Sequence, residues 1–131
     1  MTDADLVPVE PAPWATYRRR RSEGEIPFQR CDNCARSVFP PRVLCPHCGS
    51  IQLQWQRSDG SGTVYSQTFV AGGEKGYHVL LVDLDEGFRV MASADDDGAD
   101  YPLGAHVLGR IETDAEHPDA EPRLVFSRGV Q

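Results

Sequence analysis

Beyond residue 50 the chain is built from short runs of apolar and polar positions punctuated by glycine and aspartate. In Ile51-Gln52-Leu53-Gln54-Trp55-Gln56 the alternation is strict, which predicts a strand with one buried face. Thr63–Ala71 is rich in β-branched and aromatic residues and reads as a second strand. Tyr77–Leu84 is almost continuously apolar, which predicts a central, buried strand. Asp85-Glu86-Gly87 then predicts a tight hairpin into Phe88–Ala94. Gly104–Glu112 and Arg123–Ser127 supply two more strands. The turn cluster Asp59-Gly60-Ser61-Gly62 separates the first strand from these five.

Five short strands with glycine turns and no long helix fit a small antiparallel barrel. The OB-fold is the expected five-stranded form, and a small sandwich is the alternative. Ahead of it, residues 1–13 carry three prolines and three acids and read as an extended arm. Residues 14–23 suit a short helix, with Pro13 tolerated at its start and Gly24 as its stop. Trp14 and Tyr17 are three apart and share a face, either as an anchor for another surface or as packing for the following segment. The expected order is an arm and helix over 1–25, a metal ribbon over 26–58 and the barrel over 59–131, giving a mainly β protein.

The ribbon rests on four cysteines, the only ones in the chain. They fall in two pairs, Cys31-Asp32-Asn33-Cys34 and Cys45-Pro46-His47-Cys48, separated by ten residues. Two C-x2-C turns facing each other bring four thiolates to about 2.3 Å from a tetrahedral Zn²⁺. Iron of the rubredoxin kind and a pair of disulfides are the alternatives. Four sulfurs close the coordination shell, so the zinc is expected to be structural, with His47 a loop residue outside it. Gly49 permits the turn under the second pair, whereas Ala35 stands at the equivalent place after the first. Phe39-Pro40-Pro41-Arg42 between the pairs predicts an extended path.

Charge changes the picture further. The net charge of −7 disfavours nonspecific binding to nucleic acid or an anionic membrane. Its distribution is uneven: residues 11–57 stand at +5 and residues 58–131 at −9. Arg18-Arg19-Arg20-Arg21 contributes much of the basic half, as a solvated helix face, a partner-docking face or a phosphate contact. The run Asp95–Asp100 resembles a calcium loop but lacks the glutamate that an EF-hand places at loop position 12, so it reads as a solvated acidic loop. No apolar run approaches a membrane span and the N-terminus does not read as a signal peptide, so a cytoplasmic location is expected.

Motifs for catalysis are missing. There is no G-x-S-x-G elbow, Walker loop, dinucleotide fingerprint or H-E-x-x-H. His78 and His106 fall on predicted strands as structural histidines, and Asp83, Asp85 and Glu86 cluster at a hairpin tip expected to be solvated. No catalytic residue is assigned.

GEIPFQRCDNCARSVFPPRVLCPHCGS, Trp55, GSGTVYSQTFV, VLLVDLDEGFRVMAS and PLGAHVLGRIE together resemble the acyl-CoA-associated OB-fold family with a rubredoxin-like zinc ribbon. The resemblance runs over roughly residues 13–128, and Ala35 departs from the glycine frequent there. It implies a non-catalytic subunit that accompanies thiolase-fold enzymes, including steroid side-chain aldolases, sometimes beside hydratase-like subunits. It carries the metal ligands to Cys31, Cys34, Cys45 and Cys48. It implies contact with acyl-CoA but places no coenzyme A contact on a residue. Arginine and aromatic groups are what coenzyme A requires, and Tyr17, Phe39, Trp55 and Tyr65 are candidates for the aromatic part. Trp14, Tyr17, Arg18 and Arg19 are the candidate partner-binding residues. The competing function is binding of single-stranded nucleic acid by a ribbon and an OB-fold, which the acidic barrel half opposes.

Overall fold

The computed structural model describes residues 12–71, 76–95, 100–113, 116–117 and 119–128. Residues 1–11 of the predicted N-terminal arm and the centres of the loops 71–76 and 95–100 lie outside the described residues, as do parts of the loop 113–122.

Helix α1 spans Pro13–Ser22, with proline in its first turn and Arg19, Arg20 and Arg21 in its last, where cations favour the helix dipole. Only Pro13 and Tyr17 of α1 are buried. A helix this polar is held by specific contacts rather than by an apolar stripe.

Strands β1 (Pro27–Cys31), β2 (Ser37–Val38) and β3 (Leu53–Arg57) form an antiparallel sheet in the order β2-β1-β3. Cys31 pairs with Leu53 and Gln29 with Trp55, so the predicted alternating strand lies along β1. It begins at Leu53, two residues later than the pattern suggested.

Strands β4 (Ser61–Val70), β5 (Tyr77–Leu84), β6 (Phe88–Ala94), β7 (His106–Glu112) and β8 (Arg123–Arg128) close a barrel in the order β4-β5-β6-β8-β7. All neighbours are antiparallel except β6 and β8, which pair in parallel over two positions. The structure bears out the mainly β class with one short helix, a ribbon and a five-stranded closed barrel. Two details differ from expectation. Strand β5 is not buried on both faces: Leu80, Val82 and Leu84 are buried and the residues between them only partly so, because a barrel strand hides only its inner side. Strand β4 begins inside the predicted turn cluster, at Ser61.

Closure of the barrel needs glycine at one crossing. Gly60 has φ +84, and a Cβ there would stand 2.6 Å from the Gly109 carbonyl oxygen. The Gly109 amide donates to the Gly60 carbonyl at 2.8 Å, joining β7 to the start of β4.

Two cores result. The larger takes Val64, Leu80, Val82, Phe88, Val90, Val107 and Phe126 from the barrel together with Ile26 and Phe28 from the ribbon. The Phe28 and Phe88 rings stack at 4.6 Å, and Phe39 lies 5.3 Å from Phe88. The smaller core gathers Cys31, Val38 and Cys45. Hydrophobic packing thus runs across the expected boundary at residue 58.

Candidate metal centre

The two knuckles repeat one hydrogen-bond pattern. The Cys31 amide donates to the Arg36 carbonyl at 3.0 Å and the Ala35 amide to the Cys31 carbonyl at 2.8 Å. The Cys45 amide donates to Ser50 and the Gly49 amide to Cys45, both at 2.8 Å. Each turn requires a left-handed residue after its second cysteine, and Gly49 (φ 80) and Ala35 (φ 66) occupy those places. Ala35 is the non-glycine residue with positive φ among the described residues.

The four Sγ atoms of Cys31, Cys34, Cys45 and Cys48 lie within 4.8 Å of one another. Cys31 Sγ is 3.6 Å from Cys48 Sγ, and Cys34 Sγ is 3.7 Å from Cys45 Sγ. A metal bonded at about 2.3 Å to four tetrahedral sulfurs separates them by about 3.8 Å, so the donor set fits Zn²⁺. The same distances exclude disulfides, whose sulfurs stand about 2 Å apart.

Burial is graded across the site. Cys31 and Cys45 are buried, Cys34 is half-buried and Cys48 is exposed. The outer sulfur has its own support: Asn33 Nδ2 donates to Cys48 Sγ at 3.4 Å. That bond, with a backbone amide from Ser50, draws the Cys48 thiol down to about 6. At Cys34 an Arg36 amide pulls downward, but desolvation and the neighbouring sulfurs outweigh it and leave the thiol at about 11. The His47 amide donates to Cys45 Sγ at 3.4 Å. The His47 ring is exposed, 3.4 Å from Arg36 Nη1, and stands outside the sulfur cluster.

The candidate docking residues separate. Tyr17 is buried, edge-on to Phe39 at 5.8 Å, while Trp14 stacks edge-on to Tyr17 at 5.4 Å and remains exposed. Tyr17 therefore packs against the ribbon, and Trp14 alone of the pair presents a face to solvent. The arginine run divides too. Arg20 bonds Glu25 at 3.0 Å and lies over Trp55. Arg21 lies over Tyr17 and donates to the Pro122 carbonyl at 2.6 Å. Arg18 and Arg19 are exposed, with Arg18 3.6 Å from Glu121. The opposite charges of the two halves thus partly neutralise each other within the chain.

The four aromatics considered for coenzyme A do not form one groove. Tyr17 and Phe39 face each other, Trp55 faces Arg20, and Tyr65 lies on the barrel under Arg89, whose guanidinium is 3.4 Å from the ring centroid. Phe39-Pro40-Pro41-Arg42 bends rather than running extended, and its Phe39–Pro40 bond is cis. His106 Nε2 shares a hydrogen bond of 2.7 Å with Ser61 Oγ, and His78 packs on Phe69, so both histidines are engaged within the barrel.

Two residues matter more than their sequence context suggested. Gln29 is buried in β1 and clamps the Arg42 backbone: Oε1 accepts from the Arg42 amide at 2.7 Å and Nε2 donates to its carbonyl at 2.9 Å. Glu86 is not simply solvated at its hairpin tip. Its carboxylate accepts from Ser58 Oγ at 2.7 Å and from the Asp59 amide at 2.9 Å, and its carbonyl accepts from Ser37 Oγ. Neither carried a sequence signal: Gln29 stands beside Arg30 in β1, and Glu86 sits at a hairpin tip.

Residues 18–53 match the family model described as ChsH2, rubredoxin-like zinc ribbon domain. Among similar proteins, a probable enoyl-CoA hydratase alpha subunit of Thermomonospora curvata is 37% identical over 71 residues, which are 50% of this chain and 22% of that protein. A DUF35 domain-containing scaffold protein of Pyrococcus furiosus is 31% identical over 86 residues, 61% of this chain and 62% of its own length. The chain therefore spans from under a quarter to about three fifths of these two relatives. A chain of the Ltp2-ChsH2(DUF35) aldolase superposes with a TM-score of 0.69 at 28% identity, over 95% of this chain and 98% of that one. A DUF35-family protein of unknown function from Sulfolobus solfataricus shares the fold at a TM-score of 0.64 and 16% identity, over 92% of this chain and 87% of its own.

Proposed function

From a ribbon of the ChsH2 rubredoxin-like type and a chain similar to DUF35 scaffold proteins, we propose that this protein is a non-catalytic accessory subunit. It docks on a thiolase-fold enzyme, a thiolase or retro-aldolase, that acts on acyl-CoA thioesters. Steroid side-chain degradation is the specific setting, and a hydratase-like subunit is a second partner. The observation that carries this reading is the near full-length likeness to a chain of the Ltp2-ChsH2(DUF35) aldolase.

The chemistry of the chain agrees. All four cysteines face one another in a closed donor set, which holds structure and leaves no open metal position. The histidines on β5 and β7 are taken up by barrel contacts. Trp14, Arg18 and Arg19 are exposed on α1 and suit a partner surface, with Tyr17 seating the helix beneath them. When bound, zinc supplies a rigid cross-link between the knuckles.

Co-expression with a thiolase-fold subunit of the same genome tests the reading. The two are expected to co-purify, and the enzyme is expected to gain acyl-CoA turnover that this chain alone lacks. A thiolase-fold subunit that is fully active alone and elutes separately would end it.

A further inference from the structure

Between the knuckles the ribbon presents two adjacent aliphatic side chains to solvent: Val43 is 40% exposed and Leu44 50%. Single exposed apolar residues are ordinary on a protein surface. This pair differs in how firmly its backbone is held. Before it, Pro41 is buried and Gln29, 2% exposed, clamps both backbone groups of Arg42. After it, Cys45 is buried, ties its amide to Ser50 and joins the sulfur cluster. A segment pinned at both ends loses little conformational freedom on binding, so its exposed side chains act as a preorganised anchor.

Other exposed apolar side chains lack this arrangement. Tyr65 lies under Arg89 and Phe69 packs on His78. Met91, Leu103 and Leu108 lie in the barrel half, none of them adjacent in sequence to another exposed large apolar side chain.

Charge specifies what the pair fits. Residues 26–58 hold four arginines (Arg30, Arg36, Arg42 and Arg57) and one acid, Asp32. They stand at +3, in a chain whose remaining residues total −10. Even with the two negative charges of a zinc tetrathiolate, the ribbon stays positive while the barrel is acidic. Arg42 directly precedes the pair and is exposed, as is Arg36 earlier in the same ribbon. A complementary surface is therefore a shallow apolar pocket with an acidic rim.

We propose that Val43 and Leu44 are the ribbon's anchor on the partner enzyme, inserting into an apolar pocket of that subunit rimmed by carboxylates. This rests on the accessory-subunit reading and names the contact it requires. The partner thus meets the zinc-held edge of the ribbon, and the zinc fixes the anchor's geometry.

The test uses the full zinc-loaded chain and a thiolase-fold subunit of the same genome, with binding measured by titration calorimetry. Leu44→Asp and Val43→Asp are expected to weaken binding tenfold or more while zinc content and melting temperature stay unchanged. Leu44→Gln gives the same direction if an aspartate perturbs folding. Leu103→Asp, 69% exposed on the barrel side, is expected to bind like the parent. Arg42→Glu is expected to slow association and flatten its salt dependence. Parent-like binding by Leu44→Asp, or equal loss in Leu103→Asp, would overturn the anchor and leave the accessory role standing. Absence of any complex with the parent chain would overturn both.

Discussion

Ala35 holds a left-handed conformation, φ 66, at the place where the second knuckle uses Gly49. A β-carbon there crowds the backbone, whereas glycine accepts the conformation freely and gives up some of that gain through a more flexible unfolded chain. Ala35→Gly is therefore expected to raise the stability of the zinc-loaded protein by about 0.5–1 kcal/mol, read as a higher denaturant midpoint at unchanged slope. Tyr17 makes a pH prediction. Burial raises its phenol above the ordinary value, ahead of the opposing pull of Arg21. The stability from docking this ring is complete below the unfolded pKa of 10.0 and is lost as pH rises through the higher folded one. Tyr17→Phe should remove that alkaline loss, seen as a flatter melting temperature from pH 9 to about 11. The cysteines could be read from spacing alone because their ligand geometry is local. Gln29 could not, since its partner Arg42 lies 13 residues away and sequence alone does not say which backbone groups a fold leaves to be satisfied.

At the level of elements, β-branched, aromatic and apolar runs set between glycine and aspartate turns foretold the five barrel strands, because each must line the core with its inner side. The way elements attach to one another was hidden. The turn between β5 and β6 reaches back to the ribbon: Glu86 receives Ser58 and the Asp59 amide through its carboxylate and Ser37 through its carbonyl. Arg30 adds a bond of 3.5 Å to the same carbonyl. Glu86→Ala removes the two carboxylate bonds and leaves the Asp59 amide and Ser58 hydroxyl seeking water. The expected cost is about 2 kcal/mol, measured by urea denaturation, with zinc stoichiometry unchanged. The arginine run divides by the same kind of attachment. Its residues look equivalent in sequence, but a helix turns about 100° per residue. Arg20 and Arg21 thus become internal ties while Arg18 and Arg19 face outward.

Across the whole molecule, ribbon and barrel are one folding problem. Phe28 stacks on Phe88 inside the larger core, and the four sulfurs fix the strand that carries Phe28. Removing zinc with a strong chelator is expected to melt residues 28–50 and to lower the barrel's own transition, so calorimetry should record one cooperative endotherm with metal and a broadened, lower one without it. A barrel that melts unchanged after chelation would contradict that coupling. Zinc retention should also depend on acidity. Protons compete with the metal for all four thiolates, and the Asn33 bond to Cys48 Sγ favours the thiolate there. Chelator competition from pH 8 to about 5.5 should report weakening metal affinity, and Asn33→Ala should move that loss to higher pH. The stacked pair Phe28–Phe88 joins ribbon to barrel through one residue from each. A grafted ribbon without an aromatic ring at position 28 would leave Phe88 uncovered, so the two parts are expected to be exchangeable only together. A recombination crossover is expected to be tolerated only outside residues 26–126, where it leaves Ile26 and Phe28 with their barrel neighbours from Val64 to Phe126.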